Sequence, residues 1–190
     1  MPAAAKRVLI LATDGFEQSE LIEPKRLLEA AGIETVVASP KAGEIKGWNH
    51  TDWGESVKVD ATLDDVDSDD FDALMLPGGQ MNPDKLRLED RVIDLVEEFD
   101  EADKPIAAIC HGPWLLVEAD IIDGRTVTGW PSIRTDLANA GADVVDEEVA
   151  VDGNLITSRK PDDIPAFAQA LIDALSDETE EEGDATEDAE

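Results

Sequence analysis

The chain contains one cysteine, Cys110, at a position where a buried strand is expected to give way to a helix. The surrounding segment, residues 107–113, reads AAICHGP, and its small residues allow a crowded turn between the two elements. A side chain at such a turn is held above the sheet, often in strained backbone geometry. The positive end of the following helix favours the thiolate, which is the reactive form of cysteine. We therefore predict that Cys110 is a nucleophile.

Two histidines are present, and neither is an obvious base for the cysteine. The ring of His111 is expected to point away from the neighbouring thiol, although its backbone N–H could face an oxyanion. His50 lies in a segment rich in tryptophan and glycine, and we expect it at the surface or at a subunit contact. Because one cysteine and two distant histidines make a poor zinc site, no metal is predicted.

Two other turns carry groups that could serve the same site. Gly78 and Gly79 end a buried strand, and glycines let backbone N–H groups approach a ligand closely. They form either half of an oxyanion hole or simply a turn. Glu17 opens the helix after the first strand, where an acid favours the helix dipole. If Glu17 lies beside Cys110, it could instead share a proton with the thiol.

Only a particular fold brings these residues together. Apolar strands alternate with amphipathic helices, which predicts a mostly parallel sheet covered on both faces, an α/β sandwich of three layers. The turns described above then fall at the carboxyl ends of strands, where ligands bind. Strands are predicted over 8–12, 34–39, 71–76, 105–109 and 126–128, hairpins within 41–60 and 144–158, and helices over 20–31, 90–102, 113–119, 133–140 and 161–175.

The chain carries 46 acidic residues against 15 basic ones, a net charge of −31. Residues 1–175 are predicted to form one domain, and nine acids among residues 176–190 predict a disordered, solvated tail. The acids within the domain destabilise it by self-repulsion unless salt screens them. We therefore expect a salt-loaded cytosol, as in a halophile; a merely acidic mesophilic protein is the alternative.

The same composition limits partners and location. Nucleic acid is not an expected partner, because phosphate binding needs a basic patch. No apolar run of about 18 residues occurs, so no membrane span is expected. Since there is no secretory signal and only one cysteine, the cytoplasm is predicted.

Over residues 6–175 the sequence resembles the PfpI family of the ThiJ/PfpI superfamily. The matching motifs are DGFEQSEL at 14–21, FDALMLPGG at 71–79 and AICHGP at 108–113. The resemblance implies a flavodoxin-like sheet related to class I glutamine amidotransferase domains. It also implies an enzyme without a cofactor that forms homodimers or hexamers.

The resemblance further implies roles for individual residues. Cys110 is the nucleophile, Glu17 hydrogen-bonds its sulfur, and His111 joins a Cys-His-acid arrangement. The acid of that arrangement comes from a neighbouring subunit and aligns with Asp84, one methylene shorter than the usual glutamate. The backbone N–H groups of Gly79 and His111 form the oxyanion hole. The oxyanion and substrate-binding positions include three glycines: Gly78, Gly79 and Gly112.

Three activities are implied by the resemblance: conversion of methylglyoxal to lactate, removal of early glycation adducts from proteins, and intracellular peptide cleavage. We favour the reactive carbonyls, because proton shuttling needs only Cys110 and Glu17, whereas amide cleavage needs a well-placed base for a poor leaving group. Substrates are then small carbonyls or glycated proteins, with peptides as the alternative. A redox sensor or chaperone without turnover is another possibility. An amidase partner domain is disfavoured, since no histidine follows His111.

Overall fold

The structure, a computed structural model, describes residues 5–184, with side chains described up to residue 176. The strands are β1 (Arg7–Leu11), β2 (Glu34–Ser39), β3 (Glu44–Asn49), β4 (Asp52–Lys58), β5 (Ala61–Thr62), β6 (Ala73–Leu76), β7 (Ile106–Ile109), β8 (Thr126–Val127), β9 (Asp143–Val144), β10 (Ala150–Asp152) and β11 (Leu155–Ser158). The α-helices are α1 (Gln18–Ala30), α2 (Met81–Leu86), α3 (Asp90–Glu101), α4 (Trp114–Glu118), α5 (Arg134–Asn139) and α6 (Ile164–Asp184).

Seven strands form the central sheet, in the order β10-β11-β7-β6-β1-β2-β5. Every neighbouring pair in it is parallel except β10 and β11, which form an antiparallel hairpin. Strands β3 and β4 make a separate hairpin, and β8 pairs with β9. The sheet therefore confirms the predicted α/β architecture with its mostly parallel strands.

Alternate residues of the buried strands face opposite layers, as the two-residue period of a strand requires. In β1, Leu9 and Leu11 belong to one core, together with apolar residues of α3, α4 and α5. Val8 and Ile10 belong to a second core on the other side, together with residues of α1 and α6. Because both faces are covered, the central strands are apolar throughout, and their carboxyl ends are free to build a site.

Two helices differ from the sequence prediction by more than a shift of their ends. Helix α2 was not predicted; it begins beside the buried Asn82, whose side chain accepts from the Thr13 N–H and donates to the Pro77 carbonyl. Helix α6 does not end at residue 175 but continues to Asp184, so residues 176–184 are helical rather than disordered. Glutamate-rich sequence is compatible with a helix. The rest of the predicted tail, residues 185–190, lies outside the described residues.

Within residues 5–184 no helix has both the length and the apolar character that crossing a bilayer requires.

Candidate active site

Cys110 lies immediately after β7, at a sharp turn. Its φ of +64° is in the left-handed region, which costs a residue with a side chain about 1–2 kcal/mol. The turn is held by two backbone hydrogen bonds, from the Cys110 N–H to the Ser158 carbonyl at 3.0 Å and from the Gly112 N–H to the Ile109 carbonyl at 2.9 Å. The strained turn therefore fixes the direction of the thiol.

The thiol borders a cavity of about 460 Å³. Its walls come from the start of α1, the β3–β4 hairpin, the loop after β6, the turn at Cys110, and the loops after β8 and β11. The lining residues are Glu17, Glu20, Trp48, His50, Gly79, Gln80, Cys110, His111, Trp130, Lys160, Pro161 and Asp162. A second cavity of about 480 Å³ beside Lys41 and Lys85 contains neither the cysteine nor a histidine, so the chemistry belongs to the first.

Glu20, not Glu17, is the acid that contacts the sulfur. The Glu20 carboxyl is fully buried; its Oε2 accepts from the Gly78 N–H at 2.9 Å, and the carboxyl forms a hydrogen bond with Cys110. Burial is the main cause that raises the pKa of Glu20 to about 8, and the negative charge of Glu17 adds to it. At neutral pH this carboxyl therefore still carries a proton that it can exchange with the thiol.

The predicted contact between Glu17 and the sulfur is corrected by this arrangement. Helix α1 begins at Gln18, so Glu17 is its N-cap residue and Glu20 lies one turn further along. Glu17 remains at the cavity, half-buried, with its Oε1 covered and without a hydrogen-bond partner among the described residues. Burial raises the pKa of Glu17, and the nearby His50 opposes that rise.

The electrostatics of the thiol also differ from expectation. Burial raises the pKa of Cys110, and the charge of Glu20 raises it further. The backbone N–H groups of Gly79 and His111 oppose the rise by hydrogen-bonding the sulfur. The helix that follows, α4, has only five residues and begins four residues after Cys110. Its dipole therefore does not lower the pKa of the thiol enough to offset the effect of burial. The thiolate therefore depends on transfer of its proton to a neighbour.

His111 lies closer to the thiol than the sequence suggested. Its ring Nδ1 is 3.3 Å from the Cys110 sulfur, because the left-handed backbone at Cys110 turns the next side chain toward it. The imidazole packs edge-to-face against Trp114 and stacks on Trp130. Burial lowers its pKa, so the ring is neutral at physiological pH and can exchange a proton with the sulfur.

The three glycines assigned to oxyanion or substrate binding have different roles. The N–H of Gly79 reaches the sulfur, and its φ of +85° suits glycine. The N–H of Gly78 is bonded to Glu20, and a Cβ there would lie 2.7 Å from the Cβ of Cys110. The N–H of Gly112 is bonded within the turn, and a Cβ there would lie 2.6 Å from the Leu76 carbonyl. Only Gly79 has an N–H available to an oxyanion; the other two glycines allow close packing.

Asp84 does not reach the cysteine within one protomer. It lies on α2 with an exposed side chain and does not line the cavity. Its proposed action from a neighbouring subunit, and the homo-oligomer that this requires, stay predictions.

Several residues that line the cavity were not assigned to it from the sequence. His50 was expected at a surface or subunit contact, but the β3–β4 hairpin brings it to the cavity with Trp48. Trp130 lies in the loop after β8, where its backbone N–H donates to the Cys110 carbonyl at 2.8 Å. Lys160 supplies a cation at the rim, 3.5 Å from Asp162. No group of three or more metal-binding side chains occurs in the described residues; the absence of a cofactor stays a prediction.

A protein-family model for the DJ-1/PfpI family matches residues 6–174. The chain belongs to this family. General stress protein 18 of Bacillus subtilis is 50% identical over 172 residues, 90% of this chain and 98% of that protein. A deglycase of Pyrococcus abyssi is 43% identical over 169 residues, 89% of this chain and 99% of the relative.

A crystal structure from Anabaena variabilis supports the same membership of the DJ-1/PfpI family. It is a two-domain protein with DJ-1/ThiJ/PfpI-like and ferritin-like domains, with a TM-score of 0.85 and 40% identity. The match covers 90% of this chain and 48% of that one. The resemblance inferred from the motifs is thereby confirmed, whereas the halophilic origin stays a prediction.

Proposed function

We propose that this DJ-1/PfpI protein is a cysteine-dependent enzyme that detoxifies reactive carbonyl compounds, converting methylglyoxal to lactate or removing early glycation adducts. The observation that carries the proposal is the buried pair of Cys110 and Glu20, two acids in hydrogen-bond contact at the end of a cavity. Such a pair can supply a nucleophile and a proton acceptor from the same two residues. The relative named a deglycase supports the same class of substrate.

The reaction begins with the aldehyde carbon of methylglyoxal. The Cys110 sulfur attacks this carbon as a thiolate beside protonated Glu20 to form a hemithioacetal, and Glu20 donates its proton to the new oxyanion, which leaves Glu20 as a carboxylate. The backbone N–H groups of Gly79 and His111, which interact with the sulfur, stabilise the oxyanion as it forms.

The hemithioacetal then rearranges without an external oxidant. Glu20 removes the C–H proton from the former aldehyde carbon, the ketone oxygen is protonated, and an enediol forms. A proton then moves from the first hydroxyl to the second carbon, giving a lactyl thioester, so the first carbon is oxidised and the second reduced. Water attacks the thioester, the C–S bond breaks, and lactate leaves while the thiol regains its proton.

Lactate formation tests the proposal directly. The wild type should convert methylglyoxal to D-lactate without added cofactor in high salt, and Cys110→Ala should release none above the uncatalysed rate. Glu20→Gln should lower kcat by at least about 100-fold, the usual contribution of a general acid–base group. Wild-type protein that binds methylglyoxal but forms no lactate would refute the carbonyl isomerase reaction.

Peptide cleavage is a second candidate, favoured by the 3.3 Å contact between the His111 Nδ1 and the Cys110 sulfur. A neutral imidazole at this distance can take the thiol proton and return it to an amine leaving group. The two functions separate on His111→Ala, which should abolish amide cleavage but lower lactate formation less than Glu20→Gln does. Cleavage of casein by the wild type without any lactate from methylglyoxal would reverse the ranking.

A further inference from the structure

Glu17 and Glu20 place two carboxyl groups in one cavity, although the proposed chemistry uses only Glu20. The N–H of Glu20 donates to the Glu17 carbonyl at 3.0 Å, so the two residues are one helical turn apart. Glu17 is the N-cap residue and Glu20 is the third residue of α1, so both side chains leave the same end of this helix. Both side chains line the cavity of Cys110.

The protein offers the Glu17 carboxyl little compensation. Its Oε1 is covered and has no hydrogen-bond donor among the described residues. The Oε1 of Glu20 has no partner among the described residues either, but its Oε2 accepts the Gly78 N–H and its carboxyl interacts with the thiol. A negative charge on Glu17 is therefore only weakly neutralised, and its field acts on the deeper carboxyl next to it.

We propose that Glu17 is a positioning residue whose carboxylate keeps the proton on Glu20 and thereby sets how much reactive Cys110 thiolate the site holds. The proposal concerns the site of the proposed function but does not depend on which substrate it converts. It assigns the two acids different tasks: Glu20 exchanges a proton with the sulfur, and Glu17 acts through Glu20 without touching the sulfur.

The consequence for the thiol follows from the order of proton loss. While Glu20 is protonated, each pH unit raises the thiolate population tenfold. Above the pKa of Glu20 the pair holds one proton, which lies either on the sulfur or on Glu20. The ratio of these two forms does not depend on pH, so the population of thiolate beside a protonated Glu20 becomes constant. The wild-type thiolate should therefore level off near pH 8, where Glu20 loses its proton. Without the charge of Glu17, Glu20 should ionise at lower pH, and the plateau should begin earlier and lie lower.

Other charged groups face the Glu20 carboxyl, and their effects on its titration must be distinguished from the effect of Glu17. Besides Glu17 on its own helix, the groups around the cavity are Cys110, His111, His50, Lys160 and Asp162. His111 titrates below its usual pKa, on the acid side of the expected inflection. Comparing variants in the presence and absence of Glu20 removes the contributions of the remaining groups.

The experiment measures the alkylation rate of Cys110 by iodoacetamide, a neutral reagent, across the pH range in high salt. Because Cys110 is the only cysteine, the readout is specific. Glu17→Gln should move the inflection down by about one pH unit and lower the plateau about tenfold. Glu17→Ser should do the same and suits the N-cap position of α1, which guards against a folding defect. Glu17→Asp, which keeps the charge, should restore the wild-type profile.

Two controls decide the outcome. Glu23→Gln removes the same charge from the exposed side of α1 and should leave the inflection in place. In a Glu20→Gln background, Glu17→Gln should produce no downward shift, because the group that Glu17 acts on is gone.

An unmoved inflection in both neutral variants overturns the proposal, and so does a shift that persists without Glu20. A shifted inflection in a protein that makes no lactate would support this inference while refuting the proposed function.

Discussion

Replacing Glu20 by glutamine should stabilise the protein, and increasingly so as the pH rises. Burial raises the pKa of Glu20 from 4.5 to about 8 in the folded protein. Between these values the folded state holds a proton that the unfolded chain has lost. The contribution of this proton to the free energy of unfolding of the wild type is therefore greatest below pH 4.5, falls as the pH rises and is smallest above about pH 8. Glutamine is neutral throughout and avoids that loss.

The size of the effect follows from the same two pKa values. One unit of pKa difference corresponds to about 1.4 kcal/mol. Between about pH 5.5 and 8.5, the linkage relation makes the advantage of Glu20→Gln grow by about 3 kcal/mol. The variant retains an acceptor for the Gly78 N–H, which Oε2 of Glu20 accepts at 2.9 Å. Little new strain is therefore introduced.

Urea unfolding at several pH values, in one multi-molar KCl concentration, measures this difference. Glu23→Gln is the matched control, because it makes the same chemical change at an exposed position of α1. Its stability relative to the wild type should change little with pH. A difference between Glu20→Gln and wild type that stays constant from pH 5.5 to 8.5 would show that Glu20 titrates normally, and the account of the site would then be wrong.

Three further predictions concern reactivity, the oxyanion donor and salt. In Glu20→Gln, the alkylation rate of Cys110 should keep rising above pH 8, because the charge that opposes the thiolate is removed. At pH 9 the rate should exceed that of the wild type by about tenfold, even though the variant makes less lactate. Identical pH profiles of the two proteins in iodoacetamide kinetics would contradict this. Gly79→Ala should lower kcat/KM for methylglyoxal by at least about 100-fold. At φ +85° the added Cβ would lie 2.6 Å from the Glu17 nitrogen and would displace the N–H that reaches the sulfur. A near-normal kcat/KM would argue against this N–H as the oxyanion donor. The Tm should rise from dilute buffer to multi-molar KCl because salt screens the net charge of −31, and a flat Tm measured by calorimetry would remove the case for a salt-loaded cytosol.

The fold could be predicted from the sequence because strand and helix patterns are local. The apolar run of β1 and the Glu34–Ser39 strand follow directly from side-chain type and period. Helix α2 could not be predicted in this way, since it depends on the buried side-chain bonds of Asn82 to distant backbone. Tertiary contacts of this kind leave no periodic signal in a segment of six residues.

The prediction assigned Glu17 to the sulfur where the structure places Glu20, and this shows how a small error in a helix boundary changes the predicted site. The sequence prediction began the helix at residue 20, whereas α1 begins at Gln18. Glu20, Pro24 and Leu28 are all buried and follow one another at intervals of four, which places the acid on the inner stripe of the helix. That spacing was present in the sequence and could have identified Glu20 as the inward-facing acid.

The position of His111 could not be inferred in the same way. Successive side chains normally diverge, and the prediction that its ring points away from the thiol rested on that rule. The left-handed backbone of Cys110 breaks the rule and brings Nδ1 to 3.3 Å from the sulfur. The turn that holds this φ value is fixed by the hydrogen bond from the Cys110 N–H to the Ser158 carbonyl, a residue distant in sequence.

The burial of Cys110 and Glu20 together indicates what kind of catalyst the site can be. A cysteine activated only by positive charge would be a permanent thiolate, a strong nucleophile with no proton to give. Here burial raises the pKa of both groups, so both keep protons near neutral pH; once one proton is lost, the pair shares the other and can donate it to an oxyanion or recover it from carbon. Carbonyl isomerisation requires proton transfer in both directions, whereas attack alone requires only the thiolate. The cost in stability of a buried acid is therefore consistent with proton transfer as the principal task of the site.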